Sequence, residues 1–241
     1  NPVRGYGELG VSPLYDGLLR LKSGGDDRLP EFEPALARAA PKSNADSTVW
    51  DVTLRDGVTF HDGTAFDAQD VVATYRAVLD PASASEIASS FEMLSSVEAT
   101  SKNSVRFRLR YPYVDFPARL LLAIAPSEKL TPGPAEASSL NRQPVGTGPY
   151  RLAELTPERA VFTANETYWG GAPQVTKLTT TYLPDDNSRA QRMTAGEIDG
   201  TNLPPALAGT FADRPGVRVD AVKSADWRGV SLPADSAFAK D

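Results

Sequence analysis

The 241-residue sequence contains no cysteine and only one histidine, His61. Without cysteine there are no disulfide frameworks, thiol nucleophiles or Cys-ligated metal sites. One histidine gives a conventional catalytic triad a single candidate base, and a zinc site needs about three or four clustered ligands. We therefore predict no catalytic residue, no metal site, no cofactor and no enzymatic activity.

Long apolar runs and basic clusters are also missing. The longest apolar run, 120–125, is much shorter than the roughly 18 residues of a membrane-spanning helix. The net charge is −6, and phosphate neutralisation would need clustered Lys and Arg, so nucleic acid is excluded as a partner. An apolar content of 41% with 23% charged residues is typical of a folded globular protein.

Alternating patterns predict strands in the first half of the chain. Residues 49–54 alternate and run into a turn, and a short strand is expected at 58–60. A hairpin is expected from 96–99 and 105–109, with a wet, basic outer face.

The clearest predicted helix begins after Asp67 and ends before Pro81. Asp67 and Asp70 form a short-chain version of the capping box, with both carboxylates at the helix N-terminus. The apolar residues of this helix recur at helical spacing. We expect them to pack on the nearby strand, with Trp50, Val52 and Leu54 against Val71, Tyr75 and Val78.

The second half is predicted to contain a loop, several strands and one helix. Prolines and Gly133 indicate a loop over 127–144. A helix over 187–195 should end at Gly196, in a left-handed C′ position. Strands are expected at 150–155, 160–164, 177–183, 216–222 and 227–232. Hairpins mixed with isolated helices predict a mixed α/β (α+β) fold without a regular βαβ series.

Five motifs, in their order along the chain, resemble the family 5 extracellular solute-binding proteins, which include oligopeptide-, dipeptide- and nickel-binding proteins. The longest runs from Trp50 through Phe60-His61-Asp62-Gly63 and continues to Val72. The other four are Leu14-Tyr15-Asp16-Gly17-Leu18, Pro144-Val145-Gly146-Thr147-Gly148-Pro149-Tyr150, Asn165-Glu166-Thr167-Tyr168-Trp169-Gly170-Gly171 and Ala195-Gly196-Glu197-Ile198-Asp199.

The resemblance implies a periplasmic-binding-protein-like type II fold, with two lobes around a ligand cleft and a small α+β domain inserted in the first lobe. Residues 1–30 and 145–241 would form that first lobe, incomplete in this chain, and residues 31–144 the inserted domain. Chains of this family are considerably longer, so the second lobe is expected to be absent from this sequence.

The resemblance also suggests ligand contacts. In peptide-binding relatives the loop corresponding to Tyr6-Gly7-Glu8 lines the cleft, where an acid can meet an ammonium or cationic side chain of the ligand. An ordinary solvated loop is the alternative. Nickel-binding relatives carry an Arg where this sequence has Leu122, which disfavours a nickel-chelate ligand.

Three further features have structural interpretations. His61 is expected to hydrogen-bond locally in its turn. The glycines of Gly146-Thr147-Gly148 are expected to let the chain turn sharply, since Arg151 stands where a dinucleotide fingerprint needs its third glycine. Asp67 and Asp70 are accounted for as helix caps and do not require an acid–base role.

The resemblance implies an extracytoplasmic solute-binding component of an ABC importer. It would capture a peptide or similar small solute by lobe closure and deliver it to the permease subunits. Any lipid anchor would precede Asn1. One alternative is a ligand-sensing regulatory module on the same fold, and a third hypothesis is a hydrolase acting through Asp67, Asp70 or Glu8.

Overall fold

The computed structural model describes residues 13–22 and 31–221, which belong to two compact units. The described part of the larger unit comprises residues 13–22 and 31–184, and that of the smaller comprises residues 185–221. The expected boundaries of the inserted domain, at 30/31 and 144/145, remain a prediction.

The described part of the larger unit contains three antiparallel sheets. Strands β1 (Leu19–Leu21) and β2 (Phe32–Pro34) form a pair. A four-stranded sheet has the order β3-β4-β6-β5, with β3 at Lys42–Ser43, β4 at Val49–Thr53, β5 at Leu94–Ser101 and β6 at Ser104–Leu109. A three-stranded sheet has the order β7-β8-β9, with β7 at Tyr150–Leu155, β8 at Arg159–Ala164 and β9 at Lys177–Thr181.

Helix α1 (Ala68–Leu79) begins as the sequence predicts. The Asp67 side chain accepts from the Gln69 N–H at 2.7 Å, and the Asp70 side chain accepts from the Asp67 N–H at 2.9 Å. Two of the orphan N–H groups at the helix start are thereby satisfied. The interpretation of both carboxylates as caps is confirmed, and α1 ends before Pro81, where a proline favours extended backbone in the preceding residue.

Asp70 also fixes a distant loop, a role not predicted from the sequence. Its second carboxylate oxygen accepts from the Ser127 N–H at 2.8 Å. One helical turn further, the Thr74 hydroxyl bonds both the N–H and the C=O of Ala125. Residues 124–127 are therefore tied to the first turns of α1.

The core of the larger unit lies between α1 and the four-stranded sheet. Trp50 is 6% exposed and Tyr75 is fully buried, as expected from the pattern. However, α1 packs mainly on β5 and β6, and β4 lies on the other side of β6 from β5. The Tyr75 ring meets Phe107 of β6 edge-on at 4.9 Å, and Phe116 fills the space between Phe107 and Trp50. Trp50 is therefore linked to Tyr75 through these two phenylalanines, within one core that also contains Val52, Leu54 and Val71.

The hairpin of β5 and β6 has the predicted alternation. Val105, Phe107 and Leu109 are buried, whereas Arg106 and Arg108 face outward. The outer arginines are matched across the sheet, Arg106 with Asp51 at 2.7 Å and Arg108 with Glu98 at 3.3 Å. Residues 127–144 form a loop with three short 3₁₀ turns, as the prolines predict.

The described part of the smaller unit contains α2 (Asp186–Ala195) and the short helix α3 (Pro205–Ala208). Asp185 caps α2 by accepting from the Ser188 N–H at 2.7 Å. Gly196 ends α2 with φ of 73°, the left-handed conformation expected of it.

Two strand predictions are wrong. Residues 58–60 contribute only an isolated bridge between Thr59 and Ala65, because tight turns on both sides leave no room for a ladder. Residues 216–221 do not form a strand. Gly216 lies in a turn, with φ of 78°. The strand expected at 227–232 lies outside the described residues.

Candidate functional site

Four of the five sequence motifs come together in the larger unit. We call this region the motif junction and define it as residues 13–17, 60–63, 144–151 and 165–169. Asp16 is at its centre. The Asp16 carboxylate accepts from the Thr147 hydroxyl at 2.9 Å, the Tyr168 hydroxyl at 3.0 Å and the Trp169 indole N–H at 2.9 Å.

The three hydrogen-bond donors explain how a carboxylate can occupy this half-buried position. Burial removes water from around Asp16, and the three donors replace the hydrogen bonds that this water would have made. Thr147 itself is completely buried. Burial and the nearby Asp16 carboxylate both raise the pKa of Tyr168, so its hydroxyl remains a proton donor. Burial also raises the pKa of Tyr15, which precedes Asp16, to about 12.

The glycines of the junction permit close contact between backbones. A Cβ on Gly146 would lie 2.0 Å from the Leu14 carbonyl oxygen, and one on Gly148 would lie 2.5 Å from the Leu14 carbonyl carbon. Neither glycine has a positive φ. Residues 147–149 form a bend, as expected, and the glycines also permit a close approach in which Gly148 donates its N–H to the Leu14 carbonyl at 3.0 Å.

His61 does not bond locally, contrary to expectation. Its Nε2 lies 2.9 Å from the Gly148 carbonyl oxygen, and the Gly146 N–H donates to Nδ1 at 3.3 Å. The His61 backbone N–H also donates to the Gly146 carbonyl at 2.8 Å. Segments 85 or more residues apart are thus joined through one histidine.

Asn165 and Arg151 extend the junction into the three-stranded sheet. Asn165 is 2% exposed and donates from its amide to the Gly148 carbonyl at 3.1 Å. Arg151 donates to the Asn165 side chain at 2.9 Å and to the His61 carbonyl at 2.8 Å. This one guanidinium therefore bridges the turn at 60–63 and the motif at 165–169.

Trp169 forms the outer face of the junction. The Arg55 guanidinium lies over its ring at 4.6 Å from the centroid, and Arg20 lies at 6.0 Å from the same ring. Arg20 is neutralised by Glu33 across the β1–β2 pair at 2.6 Å. The Arg55 Nε donates to the Ala35 carbonyl, which fixes the guanidinium over the indole.

The chemistry of the junction is that of an anchor. The donors that meet Asp16, and the ring nitrogens of His61, are used in contacts with other residues of the protein. Within residues 13–22 and 31–221, no group of three or more His, Cys, Asp or Glu side chains is arranged to hold a metal ion. No helix in this described part is long and apolar enough to cross a membrane.

Two open grooves lie elsewhere. One, of about 380 Å³, lies between α2 and α3 of the smaller unit, and the other, of about 360 Å³, lies at the end of the three-stranded sheet beside Tyr182. The first is lined by no ionisable side chain. Neither groove contains a residue predicted from the sequence to contact a ligand.

The predicted ligand-contact residues, Tyr6, Gly7 and Glu8, lie outside the described residues, so their role remains a prediction. Pro13 and Leu14, which follow them, are held by hydrogen bonds from Tyr150 and Gly148. The sequence places Asp16, Asn165 and Trp169 in family motifs but does not predict the bond between Asp16 and Trp169 or that between Asn165 and Gly148. The available signal was that these residues belong to two motifs that are far apart in the chain, Asp16 to one and both Asn165 and Trp169 to the other.

Comparisons with known proteins identify the family. Residues 31–241 match the family model described as bacterial extracellular solute-binding proteins, family 5 Middle. The chain is 40% identical over 235 residues to Protein XP55 of Streptomyces lividans, covering 97% of this chain and 42% of that protein.

Two solved structures are similar. NikZ from Campylobacter jejuni, in complex with Ni(L-His), has a TM-score of 0.80 and 28% identity, covering 89% of this chain and 43% of that one. The oligopeptide-binding protein AppA from Bacillus subtilis, in complex with a nonapeptide, has a TM-score of 0.75 and 29% identity, covering 84% and 40% respectively.

The chain therefore belongs to the family 5 bacterial extracellular solute-binding proteins, a family of transport proteins that act outside the cytoplasm. Its fold is the mixed α/β type II periplasmic-binding-protein fold, of which it contains part. The chain spans less than half the length of the relatives described above.

Proposed function

We propose that the full-length protein is the extracytoplasmic solute-binding component of an ABC importer. In this role it captures a peptide or similar small solute between two lobes and delivers it to the permease subunits. The observation that carries the proposal is the convergence of four family motifs in the motif junction, three of them joined at Asp16 and the fourth attached through His61, in a fold similar to ligand-bound NikZ and AppA.

The mechanism is capture without chemistry. A ligand that touches both lobes favours the closed form, because only that form provides both halves of its contacts. The motif junction supports this role by holding the start of the first lobe rigid. Hydrolysis is disfavoured, since Asp67 and Asp70 are occupied as helix caps and Asp70 also bonds Ser127.

The ligand class follows from two features. Glu8 in the predicted cleft-lining loop suits an ammonium or cationic side chain, as a peptide N-terminus provides. Leu122 replaces the arginine of nickel-binding relatives and packs against the core of the larger unit. We therefore favour a peptide over the nickel chelate seen in NikZ.

Native mass spectrometry of the full-length protein tests this proposal. We expect a small molecule of peptide-like mass to remain bound after purification, and unchanged peptide to be recovered after incubation with a library. Glu8→Gln should weaken binding, whereas Glu158→Gln, at an exposed turn between β7 and β8, should not. Cleaved peptides, or binding of a nickel complex alone, would contradict the proposal.

The domain boundaries are part of the proposal. The four-stranded sheet lies within 31–144 and the three-stranded sheet within 145–241, in support of an inserted domain over 31–144. Native-state hydrogen exchange tests this, because separate domains should lose protection at different denaturant concentrations. Identical opening of both sheets would count against the boundaries.

A lipid anchor upstream of Asn1 would hold the protein near its permease. Labelling of producing cells with a fatty-acid analogue checks this directly. Label on the full-length protein is the expected result, and an unlabelled protein released into the medium would remove the anchor from the account.

A further inference from the structure

His61 connects two segments of the motif junction through both ring nitrogens. A backbone N–H can only donate, so Nδ1 must accept from Gly146. A carbonyl can only accept, so Nε2 must carry the proton that reaches Gly148. The contacts therefore fix one neutral tautomer of the ring.

Protonation of the ring would disturb this arrangement. A proton on Nδ1 would face the Gly146 N–H, placing two donors against each other. Gly146 has little room to move, because a Cβ there would already lie 2.0 Å from the Leu14 carbonyl oxygen. The strain would fall on the hydrogen bonds between the two segments.

The charged groups around His61 act in both directions. Arg151, which donates to the His61 carbonyl, disfavours a charged ring, whereas the carboxylates of Asp16 and Asp62 favour it. Asp16 is already occupied by three donors, and Asp62 by the backbone N–H and hydroxyl of Thr64. Burial is the largest influence, and the pKa of His61 lies below its usual value.

We propose that His61 is an acid-sensitive clasp, whose protonation releases residues 144–149 from the turn at 60–63. In neutral solution the clasp is closed and contributes fully to stability. Since the folded protein binds this proton less readily than the unfolded chain, stability falls as the pH drops below about 6.5. This loss of stability is complete once the pH is below the pKa of His61 in the folded protein, which is the lower of the two.

The clasp has a consequence for the start of the first lobe. Residues 148 and 150 donate N–H bonds to Leu14 and Pro13, which follow the predicted ligand-contact loop. Opening the clasp would loosen that attachment and weaken ligand binding in acid. This consequence rests on the proposed function, whereas the clasp itself does not.

NMR of the full-length protein tests the clasp. The His61 imidazole signal is assigned by its disappearance in His61→Gln, and we expect it to titrate below 6.5. The protection factor of the Gly146 amide, which divides out the base-catalysed intrinsic exchange rate, should fall with the same midpoint, by about tenfold for each pH unit between that midpoint and 6.5. The Asn165 amide, which donates to Pro149, should show a smaller change and serves as a control.

Two variants keep the test decisive. In His61→Gln the acid-dependent step in Gly146 exchange should vanish. Asp62→Asn keeps the oxygen that accepts from Thr64 and removes a charge that favours protonation, so the His61 midpoint should fall further. A midpoint at or above 6.5, or Gly146 exchange with no step, would overturn the clasp.

Calorimetry at pH 7 and pH 5 then tests the link to ligand, using the solute identified by mass spectrometry. We expect affinity to fall in acid for the wild type and less for His61→Gln. Equal losses in both proteins, with the NMR step present, would overturn the link to the ligand while leaving the clasp and the solute-binding function in place.

Discussion

The Asp16 carboxylate and the Trp169 indole N–H are joined by a 2.9 Å hydrogen bond, although 153 positions separate them in the chain. The same carboxylate receives Thr147 and Tyr168. One acidic residue therefore connects the segment before β1, residues 144–149 and the turn after β8. We expect this connection to dominate the stability of the junction.

Removing the Asp16 charge should be costly. Asp16→Asn replaces one acceptor oxygen by a donor, so at least one of the three donors is left unpaired. We expect a loss of about 2–4 kcal/mol in the free energy of unfolding. Asp51→Asn is the matched control, because its exposed pair with Arg106 is worth about 0–1 kcal/mol. Urea titrations measure both, and equal losses would contradict the central role of Asp16.

The bond between Asp16 and Trp169 can be isolated. Trp169→Phe removes the indole N–H and keeps an aromatic ring beneath Arg55. A double-mutant cycle with Asp16→Asn should give a coupling of about 1–2 kcal/mol. Strictly additive losses in thermal or chemical unfolding would show that the two side chains do not stabilise each other.

Gly146 should not tolerate a methyl group. Gly146→Ala places Cβ against the backbone of Leu14, which cannot move as a flexible side chain would. We expect a loss of about 1–3 kcal/mol from this overpacking. Gly200→Ala meets no atom within 4 Å, so its stability should change by no more than about 0.5 kcal/mol. Circular dichroism melting curves compare the two, and a neutral Gly146→Ala would argue against close approach.

The raised pKa of Asp70 predicts a pH dependence of folding stability that is opposite in sign to that of most carboxylates. Burial raises its pKa above 3.8, so the folded protein holds this proton more tightly than the unfolded chain does. As the pH falls through the raised value towards 3.8, wild-type stability should therefore rise relative to Asp70→Asn. Unfolding free energies of both proteins across this range measure the difference. A relative fall would show that the hydrogen bonds from Asp67 and Ser127 outweigh burial.

Local features of the fold could be predicted because short segments determine them. The Asp67 and Asp70 capping box, the alternation in β6 and the left-handed Gly196 each depend on a few neighbouring residues. The prediction of a strand at 58–60 was wrong because a strand also depends on residues outside its own segment. Its three residues have a suitable pattern, but strand formation needs a partner, and the turns around them allow only one bridge.

The junction could be predicted only as a set of motifs. The motifs that carry the family resemblance include Asp16, His61, Gly146 and Asn165. Nothing in the local sequence indicates that these motifs contact one another in the fold. His61 illustrates the limit, since its turn favours a local bond while both ring nitrogens bond residues far along the chain. Contacts of this kind depend on topology, which short-range patterns do not encode.

Calorimetry on the solute identified by mass spectrometry, comparing residues 1–241 with the full-length protein, tests the central claim most directly. A cleft ligand is buried between two lobes, and a charge pair on an open half-cleft is worth about 0–1 kcal/mol. The account predicts measurable binding by the full-length protein and weak or undetectable binding by residues 1–241. Equal affinities would place the whole site within these residues and contradict capture by two closing lobes.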